Sequence, residues 1–145
     1  MKPPTLSSET LHASTVALDG RAVLVTGPSG SGKSDLALRM LDRGFKLVSD
    51  DQTMVRLDGE RLLASPPANI AGKLEVRGIG IVELAHADNV PVALIVALTR
   101  EILRMPDENR TELILGVPVP LVAVDPAPPS AASKVALALD RMGLK

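Results

Sequence analysis

The octet Gly27-Pro28-Ser29-Gly30-Ser31-Gly32-Lys33-Ser34 satisfies the pattern G-x-x-x-x-G-K-[ST] in full. Glycines at its bends let main-chain N–H groups turn inward around phosphate oxygens, where side chains would collide. The pattern assigns Lys33 to the β- and γ-phosphates of ATP and the Ser34 hydroxyl to Mg²⁺. A glycine-rich turn without a ligand could carry the same residues, so the flanks decide. Residues 21–26 are an apolar strand candidate. Residues 34–43 place Leu36, Leu38, Met40 and Leu41 among strong helix formers. Strand, loop and helix in that order are the context in which the motif holds phosphate, and the helix adds its positive end.

Asp50-Asp51 is the second feature with chemical potential. Gly44 is a plausible helix stop, and residues 45–49 then form a short strand. The right-handed crossover rule sets that strand beside residues 21–26 and parallel to them. Its C-terminal end, with the two aspartates, emerges at the edge where open α/β sheets bind ligands. Two adjacent carboxylates beside a triphosphate suit two jobs. One can orient the metal, and the other can take a proton from an attacking hydroxyl. An aspartate pair that only opens a turn is the plainer alternative, and position favours the chemical one.

Other elements must frame this site. Residues 14–18 and 21–26 flank Asp19-Gly20, and residues 53–57 and 61–64 flank Asp58-Gly59, both hairpin signals. Residues 74–76 and 79–84 read as strand–turn–strand, 92–98 as a buried strand, and 113–115 and 119–124 as further short strands. Residues 100–110 are a polar connection, and 130–142 a terminal helix. The expected class is α/β: a P-loop kinase-like fold with a mixed sheet, extra antiparallel β-hairpins and a C-terminal helix. Residues 1–10 read as a loose leader and 11–145 as one catalytic domain.

Composition narrows the partners. Lys and Arg number 16 against 17 Asp and Glu, so net charge steers no polyanion. One Phe, with no Tyr or Trp, leaves almost no platform for stacking bases, which argues against nucleic-acid binding. No cysteine is present, which excludes disulfides and thiolate metal sites. No long apolar run predicts a membrane span, and a cytoplasmic protein is expected.

At this point the chain resembles a known family, the bacterial HPr kinase/phosphorylases. The resemblance runs over residues 11–124. It rests on His12 ahead of the P-loop, the octet itself, Gly44-Phe45-Lys46-Leu47-Val48-Ser49-Asp50-Asp51, and Leu74-Glu75-Val76-Arg77-Gly78-Ile79-Gly80-Ile81. That last stretch is similar to the family signature L-E-[IV]-R-G-x-G-I. Val117-Pro118-Val119-Pro120 resembles the family's V-P-V-P region.

The resemblance implies an ATP- and Mg²⁺-dependent serine kinase acting on an HPr-like phosphocarrier protein of a phosphotransferase system. It also implies a reverse reaction, in which inorganic phosphate attacks phosphoserine, yielding pyrophosphate and free serine. By the same resemblance Asp50 is the catalytic carboxylate. Glu75 joins Ser34 at the metal, where the position of the acidic pair, not the resemblance, also places Asp51. His12 lies near the phosphate or the incoming serine, and Arg104 matches the catalytic arginine. A homo-oligomer is implied as well.

The family's additional N-terminal domain has no counterpart in this sequence. Its glycine- and arginine-containing loop after V-P-V-P is replaced by the Pro/Ala/Ser-rich residues 123–133. Kinase activity is therefore the expected direction. On the residues alone, His12 reads as a surface histidine, Glu75 and Arg77 as outward strand positions, and Gly78 and Gly80 as a bulge. Two other functions stay open: a nucleotide-sensing module that regulates a partner without catalysis, and a small-metabolite kinase.

Overall fold

The computed structural model describes residues 7–101 and 110–145. In chain order its elements are β1 (Ser8–Leu11), β2 (Ala13–Leu18), β3 (Arg21–Thr26), α1 (Lys33–Leu41), β4 (Lys46–Ser49), β5 (Thr53–Asp58) and β6 (Arg61–Ser65). A single 3-10 turn at Ala68–Ile70 leads to β7 (Lys73–Val76) and β8 (Gly80–Glu83). Then follow β9 (Val90–Leu98), β10 (Thr111–Ile114), β11 (Val117–Val124) and α2 (Ala131–Met142).

Nine of the described strands form one mixed, curled sheet in the order β1-β5-β6-β9-β3-β2-β4, with β11 on β9 and β10 on β11. β7 and β8 pair separately as an antiparallel hairpin. The centre is parallel: β9 runs with β3, and β11 with β9. Period-two alternation explains why β3 is apolar throughout. Val23 and Val25 face a core shared with Leu36, Met40, Val135 and Leu139 of the two helices. Ala22 and Leu24 face a second core with Val55, Leu62 and Val92. A strand buried on both faces reads as a continuous apolar run.

Turn chemistry sets the pairing. Asp19 (φ 52°) and Gly20 (φ 75°) are both left-handed, the geometry of a two-residue type I′ hairpin, and they fold β2 back along β3. In the β5–β6 hairpin Asp58 pairs with Arg61. The turn there is therefore Gly59-Glu60, one residue later than Asp58-Gly59 suggested.

Two expectations need correcting. β4 does not lie against β3. It pairs antiparallel with β2, which occupies the position beside β3. β4 still points the same way as β3, so the crossover spans one strand, and the hairpin had already claimed that edge. Ser8–Thr10, assigned to the leader, belong to β1, which pairs with β5. Residues 102–109, which include Arg104, lie outside the described residues.

Two arginines tie the helices in. Arg39 of α1 donates to the carbonyls of Pro126 (2.6 Å) and Pro128 (3.3 Å), fixing the connection into α2. Arg21 donates to Leu139 O (3.2 Å) in the last turn of α2, sharing that carbonyl with the Gly143 N–H (3.1 Å). Among the described residues no helix is long and apolar enough to cross a membrane.

Candidate active site

The β2–β3 hairpin accounts for the site's composition. Its register sets Ala13 opposite Thr26, so the start of β2 lies where β3 passes into the P-loop. On its other edge Thr15 pairs with Ser49, the last residue of β4. His12, Ser14, the octet and Asp50-Asp51 are thereby gathered at one sheet edge from three separate stretches of chain.

Asp50 is 8% exposed and densely bonded. Its Oδ1 accepts from Ser34 Oγ (2.6 Å) and from Ser14 Oγ (2.9 Å). Its Oδ2 accepts from the main-chain N–H of Glu75 (3.2 Å), in β7 of the β7–β8 hairpin. Asp51 differs in every respect. It is exposed, and the His12 Nε2–H donates to its Oδ1 over 2.7 Å, the two side chains being 52% and 61% exposed. Its backbone is left-handed, φ 67°, and the Gln52 N–H reaches the Asp50 carbonyl over 2.7 Å. That i→i+2 bond makes a γ-turn with Asp51 at its centre, a rare and strained form. Strained non-glycine residues persist where the surroundings over-determine them. Here Ser14 Oγ accepts the Asp51 N–H (3.0 Å), and the Ser49 hydroxyl donates to the Gln52 carbonyl.

The loop's own features fit a nucleotide phosphate chain. Lys33 is 6% exposed, and its Nζ donates to the carbonyls of Gly27 (3.0 Å) and Pro28 (3.2 Å). Among the described residues it has no carboxylate partner. A buried ammonium balanced only by carbonyls is costly, and an anion resolves the cost. The Ser31 hydroxyl is buried without a hydrogen-bond partner. The first turn of α1 has no side-chain cap, which leaves N–H groups for an anion. Gly30 (φ 80°) and Gly32 (φ 102°) take conformations that side chains disfavour. At Gly27 a Cβ would sit 2.6 Å from Ser31 Oγ and 3.3 Å from Leu98 Cβ. The adjacent Ser34 hydroxyl and Asp50 carboxylate are hard oxygen donors of the kind Mg²⁺ takes.

Of the residues singled out in the sequence, His12, Gly27, Pro28, Ser29, Gly30, Ser31, Gly32, Lys33, Ser34, Asp50 and Asp51 lie together. Glu75 reaches the site through its main chain, while its side chain is exposed. Ser14 and Ser49 were not anticipated. Two adjacent hydroxyls, Ser14 and Thr15, inside the strand Ala13–Leu18 just after His12 were the available signal. Gly72 was also missed. Its φ is 75°, and a Cβ there would stand 2.8 Å from Leu84 O and 3.2 Å from His86 Nδ1, at the base of the hairpin that carries Glu75. Gly72→Ala is expected to lower unfolding free energy by about 1–3 kcal/mol, read from urea denaturation. An unchanged midpoint would show that the hairpin base relaxes freely.

A Walker A loop on the central strand of an α/β sheet, facing a buried aspartate from the strand one removed, defines a P-loop protein. Comparison with known proteins narrows the class. The family model for the HPr Serine kinase C-terminal domain matches residues 5–136, and the chain belongs to that family. The HPr kinase/phosphorylase of Lacticaseibacillus casei (strain BL23) is 33% identical over 127 residues, 79% of this chain and 40% of that protein. The one from Chlorobium luteolum is 38% identical over 125 residues, 77% of this chain and 38% of that protein. The chain thus spans about two fifths of the length of these curated relatives. The solved structure of the Hpr(Ser) kinase/phosphatase from Coxiella burnetii matches with a TM-score of 0.74 and 30% identity, over 91% of this chain and 99% of that one.

Proposed function

We propose that this chain is a protein-serine kinase that transfers a phosphoryl group from Mg-ATP to a serine of an HPr-like phosphocarrier protein. The observation that carries the reading is the division of labour at Asp50-Asp51: one carboxylate locked onto the P-loop serine, the other exposed and paired with a histidine. When bound, Mg-ATP supplies the transferable group and a cation that offsets charge on its oxygens. The P-loop main chain and Lys33 hold the phosphates, and Ser34 with Asp50 would hold the metal.

The hydrogen bonds support roles opposite to those the resemblance implied. Asp50 is held by protein donors beside Ser34, and its Oδ2 accepts only the Glu75 N–H, which leaves a lone pair for a cation and suits metal holding. Asp51 faces solvent, where an acceptor protein can bring its serine, which suits proton removal. His12 orients the Asp51 carboxylate by donating to Oδ1. In reverse, phosphate attacks the phosphorus of phosphoserine, pyrophosphate forms, and Asp51 returns the proton to the departing seryl oxygen. Arg104 is proposed, on the resemblance alone, as a cation toward the transferring oxygens.

The test is incubation of the purified chain with Mg-ATP and an HPr-type phosphocarrier, followed by mass spectrometry of the acceptor. A phosphate on serine is the expected result. Tight Mg-ATP binding without transfer would support the nucleotide-sensing module instead. Transfer only to a small hydroxylated metabolite would make the protein a metabolite kinase.

A further inference from the structure

We infer that Ser14 is a positioning residue for phosphoryl transfer: its hydroxyl locks the two aspartates into one arrangement. The inference rests on the kinase reading for its kinetic consequence, and on geometry alone for the lock itself.

Ser14 is fully buried on β2, between Ala13 and the buried run that continues through Val16. A buried hydroxyl is costly unless bonded, and this one is bonded twice. It donates to Asp50 Oδ1 (2.9 Å) and accepts from the Asp51 N–H (3.0 Å). Among the described residues it is the one side chain that bonds both aspartates. A hydroxyl that merely satisfied a stray amide would have no reason to bond the Asp50 carboxylate as well.

The surrounding bonds explain why the lock has something rigid to act on. Thr15 and Thr53 share a hydrogen bond (2.8 Å), and Thr53 Oγ1 donates to Ala13 O (2.9 Å). The start of β5 is thereby fastened to β2 just after the turn, while Thr15 opposite Ser49 fastens β4 just before it. Between these anchors the Asp51 backbone is held left-handed at φ 67°. Its amide is the group whose direction a relaxation of the turn would change, and Ser14 holds that amide. Losing the Ser14 hydroxyl lets the turn relax, and the Asp51 carboxylate leaves its alignment with His12. The P-loop contacts of Lys33 do not pass through Ser14.

The experiment compares Ser14→Ala, Asp51→Asn and the double variant, with Ser14→Cys as a volume-preserving substitute whose thiol bonds weakly. Steady-state transfer to an HPr-type acceptor and hydrogen exchange at the Asp51 amide are both read. Expected are a fall in kcat of about 10- to 100-fold for Ser14→Ala and Ser14→Cys, and a KM for ATP within about twofold of wild type. Faster exchange at Asp51 is expected in both. In the Asp51→Asn background, removing the hydroxyl should cost clearly less than in the wild type, because only the part that acts through Asp50 remains. Full additivity in the double variant, or wild-type protection of the Asp51 amide in both Ser14 variants, would overturn the inference. A wild-type chain that transfers nothing defeats the kinase reading instead, and amide exchange still decides the fate of the lock.

Discussion

Asp51→Asn should reduce phosphoryl transfer by about 10²–10⁴-fold while leaving Mg-ATP affinity close to wild type. The amide keeps the size and most of the polarity of the carboxylate but cannot take a serine proton. Asp51 lies outside the P-loop bonds, so the nucleotide should not register the change. Asp50→Asn should behave differently. Its Oδ1 accepts from Ser34 Oγ at 2.6 Å, so substitution disturbs the pair proposed for the metal. The Mg²⁺ concentration for half-maximal transfer should rise several-fold, together with a large loss of rate. The two variants thus separate the roles by metal titration, not by lost activity alone. Normal Mg²⁺ dependence in Asp50→Asn, with near wild-type transfer in Asp51→Asn, would restore the division implied by the resemblance.

Why the two neighbours differ was only partly legible in the sequence. The P-loop was legible because every residue in it answers a local demand: glycines for left-handed bends, lysine and serine for the phosphates and their ion. The β2–β3 hairpin was legible too, because Asp19-Gly20 is a short-range signal that needs no tertiary context. The position of β4 was not. The crossover rule gives the direction, which was correct, but it does not say which edge is already taken. β2 had taken it, so β4 came to rest against β2.

That misplacement matters for the site. An antiparallel strand between β3 and β4 starts at the very edge where they end. His12 and Ser14 therefore reach the aspartates from a stretch of chain that alternation alone would assign to the core. Nor could periodicity reveal the turn at Asp51. Its left-handed backbone arises from hydroxyls on β2 and β4 that meet it only in the folded state. The Asp-Asp step allows two different jobs, but the sequence does not say which carboxylate is buried. Burial of one and exposure of the other follow from the sheet edge, where Asp50 still belongs to the interior and the chain has turned outward by Asp51.

Lys33→Met should make the ligand-free protein more stable and the nucleotide-binding protein useless. The ammonium is buried against two carbonyls with no carboxylate partner, so its desolvation is poorly compensated in the free protein. Methionine fills similar space without that burden, and a gain of about 1–2 kcal/mol is expected in the absence of ligand. With Mg-ATP the order reverses. A ligand that binds only the native state adds about 2.7 kcal/mol at roughly 100 times its Kd, and the wild type should show that rise in thermal melts. The variant should show almost none, because the cation that meets the β- and γ-phosphates is gone. The wild type is thus the less stable protein when empty and the more stable one when loaded, as expected of a group kept for function at the expense of the free fold. A variant that melts lower than wild type without ligand would mean that the carbonyl bonds of Lys33 hold the loop together. The idea that its charge is poised for an anion would then fail.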